Sequence, residues 1–304
     1  MNEIKQNSPY AWFLAARPKT LTGAIIPVLL GSALAFSDGQ FKTAPALLCA
    51  LFACGMQIAA NFINDLFDFQ KGDRPSGRPA GAAARLRRRL DYAGSHENRH
   101  RHRTDTVVPG RAGSAVHRLG ASCPTEAGNW WCWAWCAYCL LCLYTTLLSY
   151  RGWGDVLVLV FFGFVPVCGT YYVQAYTLNM DVVVLSLVSG LAIDTLLMVN
   201  NYRDREQDAV SGKCTLVVRY GKKFGENMYL ALGIAAVLLC FWFVYTGKLT
   251  PLEFIWAPCV YLYMHALTWR KMIQIGSGKK LNSILGETSR NMLFLGLLLA
   301  VALN

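Results

Sequence analysis

Charged side chains make up only 15% of this 304-residue sequence, against roughly a quarter in an ordinary soluble domain. With 54% apolar residues and a mean hydropathy of +0.32, too little polar surface is available for a soluble globule. Met1 to Ser8 lacks the basic, apolar and small-residue succession of a cleavable signal, so the first apolar run reads as a span. Strand-like alternation is also missing, which excludes a transmembrane barrel, whose strands must alternate lipid-facing and lumen-facing residues. Backbone groups in lipid must pair internally, so the spans are helices. The eleven cysteines include several within apolar runs, where they read as small apolar residues and not as disulfides.

What is present is a series of runs long enough to cross about 30 Å of hydrocarbon. They fall at roughly 21–36, 44–63, 130–149, 154–175, 181–199, 228–246, 251–269 and 288–303. The sequence therefore predicts an all-α, multi-pass membrane protein, a single domain over 1–304. The formal charge of +11 would suggest a nucleic-acid partner, but its distribution argues against one. Residues 74–118 hold eleven Arg, no Lys and only Asp91, Glu97 and Asp105, a net of +8. The rest of the chain carries only about +3.

The same region is anomalous in other ways. His96, His100, His102 and His117 fall in it, five Cys lie between Cys123 and Cys142, and four Trp between Trp130 and Trp135. A basic nucleic-acid loop, a histidine metal site, or an iron–sulfur set of Cys132, Cys136 and Cys139 each fit a few of these residues and none of their surroundings. Out-of-frame translation of 74–142 accounts for all of them. Trp has one codon, so Asn129 to Trp135 read one base earlier necessarily continues leucine, valine, valine, leucine, glycine, an apolar residue and valine, a plain membrane helix. Topology gives an independent argument. Arg17 and Lys19 favour a cytoplasmic N-terminus, and two spans return the chain to that side at Asp65. A helix lost or garbled between 85 and 125 is needed to bring Asn200 back to the same side.

Two oxygen-rich clusters stand where apolar runs end. In the first, Asn61, Asn64, Asp65 and Asp68 follow i, i+3, i+4, i+7, one face of a helix. In the second, Asn200 or Asn201 repeats the spacing with Asp204 and Asp208. Carboxylates at a bilayer edge lose hydration and are rarely idle. Carboxylate and amide oxygens without nearby His or Cys favour Mg²⁺ over zinc or copper. Mg²⁺ binds through a few carboxylates plus phosphate oxygens, so two facing clusters suit a diphosphate, with Arg203, Arg205 and Lys213 as cationic contacts. Two solvated helix ends are the bland reading, and the pairing of two such clusters weighs against it. Glu206 lies off the Asp204/Asp208 face and reads as solvated. Asp194 is an intramembrane acid suited to a substrate contact or a helix–helix hydrogen bond. Tyr171, Tyr172 and Tyr176 read as interfacial belt residues.

At these residues the chain resembles the UbiA-type intramembrane aromatic prenyltransferases, in particular those acting on 1,4-dihydroxy-2-naphthoate. The resemblance rests on Ala16–Leu21 with Pro27 and Gly31–Ala33, Asn64–Gly72, Leu143–Thr146, Gly163–Tyr172, Asn200–Asp204 with Asp208, Gly212-Lys213, Thr215-Leu216 and Leu281-Asn282 with Thr288 and Arg290. It implies about nine transmembrane helices around a cavity open to the lipid, in the inner membrane of a bacterium. It also implies an active site on the cytoplasmic side. Asn64, Asp65 and Asp68 match the family's first aspartate motif, and Asp204 and Asp208 the second, as Mg²⁺ and catalytic residues. Arg203 and Lys213 match the flanking bases, with Asn200 and Asn201 beside them at the diphosphate. The implied reaction is ionisation of a polyprenyl diphosphate, attack by the naphthoate ring and loss of CO₂, giving demethylmenaquinone. After Gly72 the family's further acidic residues and loop are absent. Alternatives from the residues alone are a prenyltransferase for 4-hydroxybenzoate or homogentisate, a transporter, or an inactive frameshifted product.

Overall fold

The computed structural model describes residues 20–70 and 152–304, and the side chains of 63–70 lie outside the described residues. The expected span 130–149, the garbled segment 74–142, and Arg17 and Lys19 lie outside them as well. The described residues form helices and no strand. They are α1 (Thr22–Ser37), α2 (Thr43–Gln70), α3 (Gly154–Ala175), α4 (Met180–Val210), the short α5 (Leu216–Tyr220), α6 (Lys222–Tyr245), α7 (251–275) and α8 (Leu281–Ala302). Five of these, α2, α3, α4, α6 and α8, are long and apolar enough to cross a membrane. The chain divides into two compact units, Met1–Ala15 with Ala60–Thr145, and Ala16–Ala59 with Thr146–Asn304. Of the first, the described part is the last stretch of α2, a continuous helix through Gln70.

The second unit is built around α4, which packs on α6, α3, α8 and α1. Asn179 starts α4 by accepting from the Val182 amide at 3.0 Å, and Tyr176 ends α3 in the left-handed region at φ 58°. Between α3 and α4 the backbones nearly touch. A Cβ on Gly163 would lie 2.6 Å from the Ser186 carbonyl oxygen and 3.0 Å from Gly190 Cα, so only glycine permits this crossing. Ser186-x-x-x-Gly190 is a small-residue step of the kind that brings membrane helices close. The crossing falls in a π-helical stretch of α3 at Leu159–Phe164, which widens the helix locally. Ile26, Leu30, Leu34, Val167, Leu185, Val188, Phe243, Tyr261 and Leu299 form the main core, each nearly fully buried.

Hydropathy ended α2, α4 and α7 too early and began α6 and α8 too late. It ended the α4 span at 199, yet the helix runs to Val210, 31 residues or about 46 Å. It began the later spans at 228 and 288, whereas α6 begins at Lys222 and α8 at Leu281. Charged residues interrupt the apolar pattern in those turns but do not break a helix, because Arg, Glu, Lys and Gln are good helix formers. The extra turns converge: α4's end meets α6's start through Tyr202 and Glu226, and α8's start through Arg203 and Asn282. A second core of Met198, Val199, Tyr202, Val217, Tyr229, Leu232, Met272, Leu281 and Ile284 supports this end.

Candidate active site

About 20 residues span the hydrocarbon, so the surplus length of α4 carries Asn200 to Val210 beyond the apolar run. Asn200, Arg203 and Asp204 are half-buried, and Asn201 and Asp208 are buried. The Arg203 guanidinium grips its neighbour Asp204 bidentately, Nε to Oδ1 at 2.7 Å and a terminal nitrogen to Oδ2 at 2.5 Å. Its other terminal nitrogen donates to Asn282 Oδ1 at 2.9 Å, which fixes the fork across to α8. Such paired contacts fix a guanidinium plane as no lysine could.

One turn further, Lys213 Nζ stands 3.6 Å from Asp208 Oδ1. The turn that brings it back depends on Gly212, whose φ of +76° suits glycine. The backbone amide of Lys213 donates to the Asp208 carbonyl at 2.9 Å, and the Ser211 hydroxyl reaches the same oxygen at 3.1 Å. Asn200 turns its amide onto the Leu196 carbonyl at 3.1 Å. Arg205 is directed elsewhere: it donates to the Tyr202 carbonyl at 2.7 Å and lies over the Tyr202 ring at 4.9 Å. Glu206 is exposed, with Arg205 at 3.1 Å.

Beneath the cluster, Tyr202 is fully buried and donates to Glu226 Oε1 at 2.8 Å. Lys222 Nζ is 3.8 Å from the same oxygen, and Trp269 donates to the Glu226 carbonyl at 2.8 Å. These partners tie the end of α4 to α6 and α7. Sequence reasoning missed Glu226, and it named Asn282 only as part of the resemblance, without its contact to Arg203. Asn64, Asp65 and Asp68 lie on the helical backbone of α2, and their side chains are outside the described residues.

The tyrosines divide. Tyr172 and Tyr176 are 45% and 64% exposed, as belt residues should be, but Tyr171 is 2% exposed and donates to Asp38 at 2.6 Å. The belt reading is corrected there, because a buried tyrosine needs a polar partner for its hydroxyl.

Residues 114–283 match the UbiA prenyltransferase family. A 1,4-dihydroxy-2-naphthoate octaprenyltransferase of Escherichia coli is 32% identical over 79% of this chain and 78% of its own length. The chain belongs to the UbiA prenyltransferase family. A protein of the same name from Mycobacterium leprae is 31% identical over 96% of each chain. A UbiA homologue from Aeropyrum pernix superposes with a TM-score of 0.63 at 16% identity, over 94% of this chain and 97% of that one, which shows the fold. The protein is thus a multi-pass helical membrane protein of the UbiA fold and an aromatic prenyltransferase by family. The family match contains Asp204 and Asp208 but begins downstream of Asp65 and Asp68.

Proposed function

We propose that this protein transfers a polyprenyl chain from polyprenyl diphosphate to 1,4-dihydroxy-2-naphthoate with loss of CO₂ and diphosphate, giving demethylmenaquinol, the reduced form of demethylmenaquinone. The reading is carried by Asp204 and Asp208, with Arg203 and Lys213, at the end of the helix that organises the second unit. The relatives named for this reaction support the acceptor. Among the described residues no three His, Cys, Asp or Glu side chains cluster as a closed metal cage. Two carboxylates with no sulfur or imidazole fit Mg²⁺, which takes few protein ligands and completes its shell with water and phosphate oxygens.

Asp204 and Asp208 would hold the ion from α4, and the family resemblance implies a metal-binding role for Asn64, Asp65 and Asp68 as well. When bound, Mg²⁺ neutralises charge on the departing diphosphate. Arg203 contributes a planar fork for phosphate oxygens and Lys213 a point charge, while Asn200 and Asn201 supply amide groups beside them. These cations stabilise the leaving group where a low dielectric makes the interaction strongest. The proposed setting is the cytoplasmic side of a bacterial inner membrane; Arg17 and Lys19 ahead of the first span support the orientation.

Membranes containing the protein, given labelled polyprenyl diphosphate, Mg²⁺ and each aromatic acid in turn, should form product with 1,4-dihydroxy-2-naphthoate. Product with 4-hydroxybenzoate or homogentisate alone would reassign the acceptor, and no product with any acid would overturn the reading. Residues 74–142 are part of the same proposal, as an out-of-frame stretch replacing native chain and one helix of a nine-helix bundle. Resequencing codons 70–145 tests it. An uninterrupted frame, with peptides from 85–118 detected in the expressed protein, would refute it.

A further inference from the structure

Two buried acids take no part in the cluster at the end of α4. Asp194 is 1% exposed and Asp155 is 6% exposed. The Oδ1 atom of each lacks a hydrogen-bond partner, and neither acid has a basic partner among the described residues. They belong to neighbouring helices. The first turn of α3 packs on α4, a Cβ on Gly154 would touch Leu197 Cδ2 at 3.4 Å, and Asp155 is close enough to Asp194 to act on it electrostatically. A buried carboxyl group without a partner costs free energy in any fold, more so within a membrane. Such a cost is tolerated where a ligand supplies the missing donor.

Position indicates the ligand. Asp194, Asn201 and Asp208 recur at intervals of seven, so they share one face of α4, and all three are buried. This polar stripe leads from the acidic cluster into the membrane. Asp194 lies ten residues before Asp204, about 15 Å along the axis. The carbon that accepts the ring is bonded to the diphosphate, so the aromatic acid must lie on the membrane side of the phosphates. That is the direction in which the stripe runs.

Resting on the prenyltransferase reading, we propose that Asp194, with Asp155 beside it, binds the aromatic acceptor by accepting a hydrogen bond from a ring hydroxyl. That hydrogen bond orients the ring with its hydroxylated edge toward α3 and α4.

The test is direct binding, measured on the full chain purified in detergent, so that it does not depend on turnover. The probes are 1,4-dihydroxy-2-naphthoate and unhydroxylated 2-naphthoate, and the variant is Asp194→Leu, of similar volume. The expected result is at least a tenfold weaker Kd for the dihydroxy acid in the variant, with the Kd for 2-naphthoate unchanged. Removing an unpartnered buried acid should leave the thermal midpoint unchanged or raised. Asp194→Asn, which keeps an acceptor oxygen, should retain most of the affinity. Equal affinity of wild type and Asp194→Leu for the dihydroxy acid would overturn the proposal and leave the prenyltransferase reading standing. Failure of wild type to bind either acid would overturn both. A wild-type midpoint raised by Na⁺ or K⁺, and not in Asp194→Leu, would assign the pair to a cation instead.

Discussion

Each end of α4 sets aspartates beside a basic side chain, but the two arrangements differ in character. At its start, Asp181 and nearby Asp38 share Lys248, which ion-pairs with Asp38 and stands 3.4 Å from Asp181. Trp242 donates to Asp181 at 2.7 Å, and Tyr171 and Asn179 donate to Asp38 at 2.6 and 3.5 Å. Donors from α3, from α6 and from the turns before α4 and after α6 close on these two acids, so the charges serve to lock helices together. At its other end, Asp204 and Asp208 take bases from their own helix and the turn after it, and Arg203 and Asp204 remain half-buried. Aspartates beside a cation therefore say little until the origin of the partners is known. Long-range partners make a latch, and local partners leave a site accessible to a ligand.

The sharpest way to break this comparison is to remove a carboxylate at each end. Asp204→Ala or Asp208→Ala should lower Mg²⁺-dependent product formation by on the order of 10²–10³, as loss of one preorganised electrostatic contact does. Chelation of Mg²⁺ should have the same effect on wild type, and unchanged turnover in both variants would remove the catalytic assignment. At the latch, Lys248→Met should lower stability by about 2 kcal/mol, less than for a fully buried pair because all three side chains retain some solvent. Thermal unfolding in detergent measures it, and turnover per folded molecule should stay constant. A smaller effect is expected from Asn282→Ala, which frees one arm of Arg203. It should weaken diphosphate binding by about 1 kcal/mol, seen as a raised KM for the prenyl substrate with kcat unchanged.

The smallest effect is a pH dependence confined to the latch. Burial pushes the Asp38 carboxyl up, but hydrogen bonds from Lys248 and Tyr171 and the charge of Lys248 outweigh it, leaving the pKa below the ordinary 3.8. A carboxyl lowered on folding contributes stability above its unfolded pKa and loses it as pH falls through the folded value. Some stability should therefore disappear below about pH 4 in wild type. Asp38→Asn should be less stable at neutral pH and show a shallower loss over that window. An identical acid profile for the two proteins would remove Asp38 from the latch.

Much of the fold, and the helical setting of the second acidic cluster, were legible in the residues. The apolar runs at 21–36 and 154–175 became α1 and α3 with ends close to those expected, because apolar length is what a bilayer selects. The spacing of Asn200, Asp204 and Asp208 placed them on a helix that does extend through them. The contacts of Glu226 and Asn282 were not legible, since each depends on a helix far away in sequence. Tyr171 was misassigned for the same reason: three tyrosines at one helix end look alike until one of them meets Asp38.

The sequence by itself determined the class of the protein and where its apolar spans lie, and it supplied the oxygen-rich spacing on which the reading of the two acidic clusters rests. Those properties follow from local hydrophobicity, helical period and the oxygen-only ligand set, none of which needs a distant partner. Only the tertiary structure decided which acids are locked, which are gripped by a neighbouring base and which are buried without a partner. Asp38, Asp204 and Asp194 are the same side chain in three environments. The helices that surround each one determine what it can do.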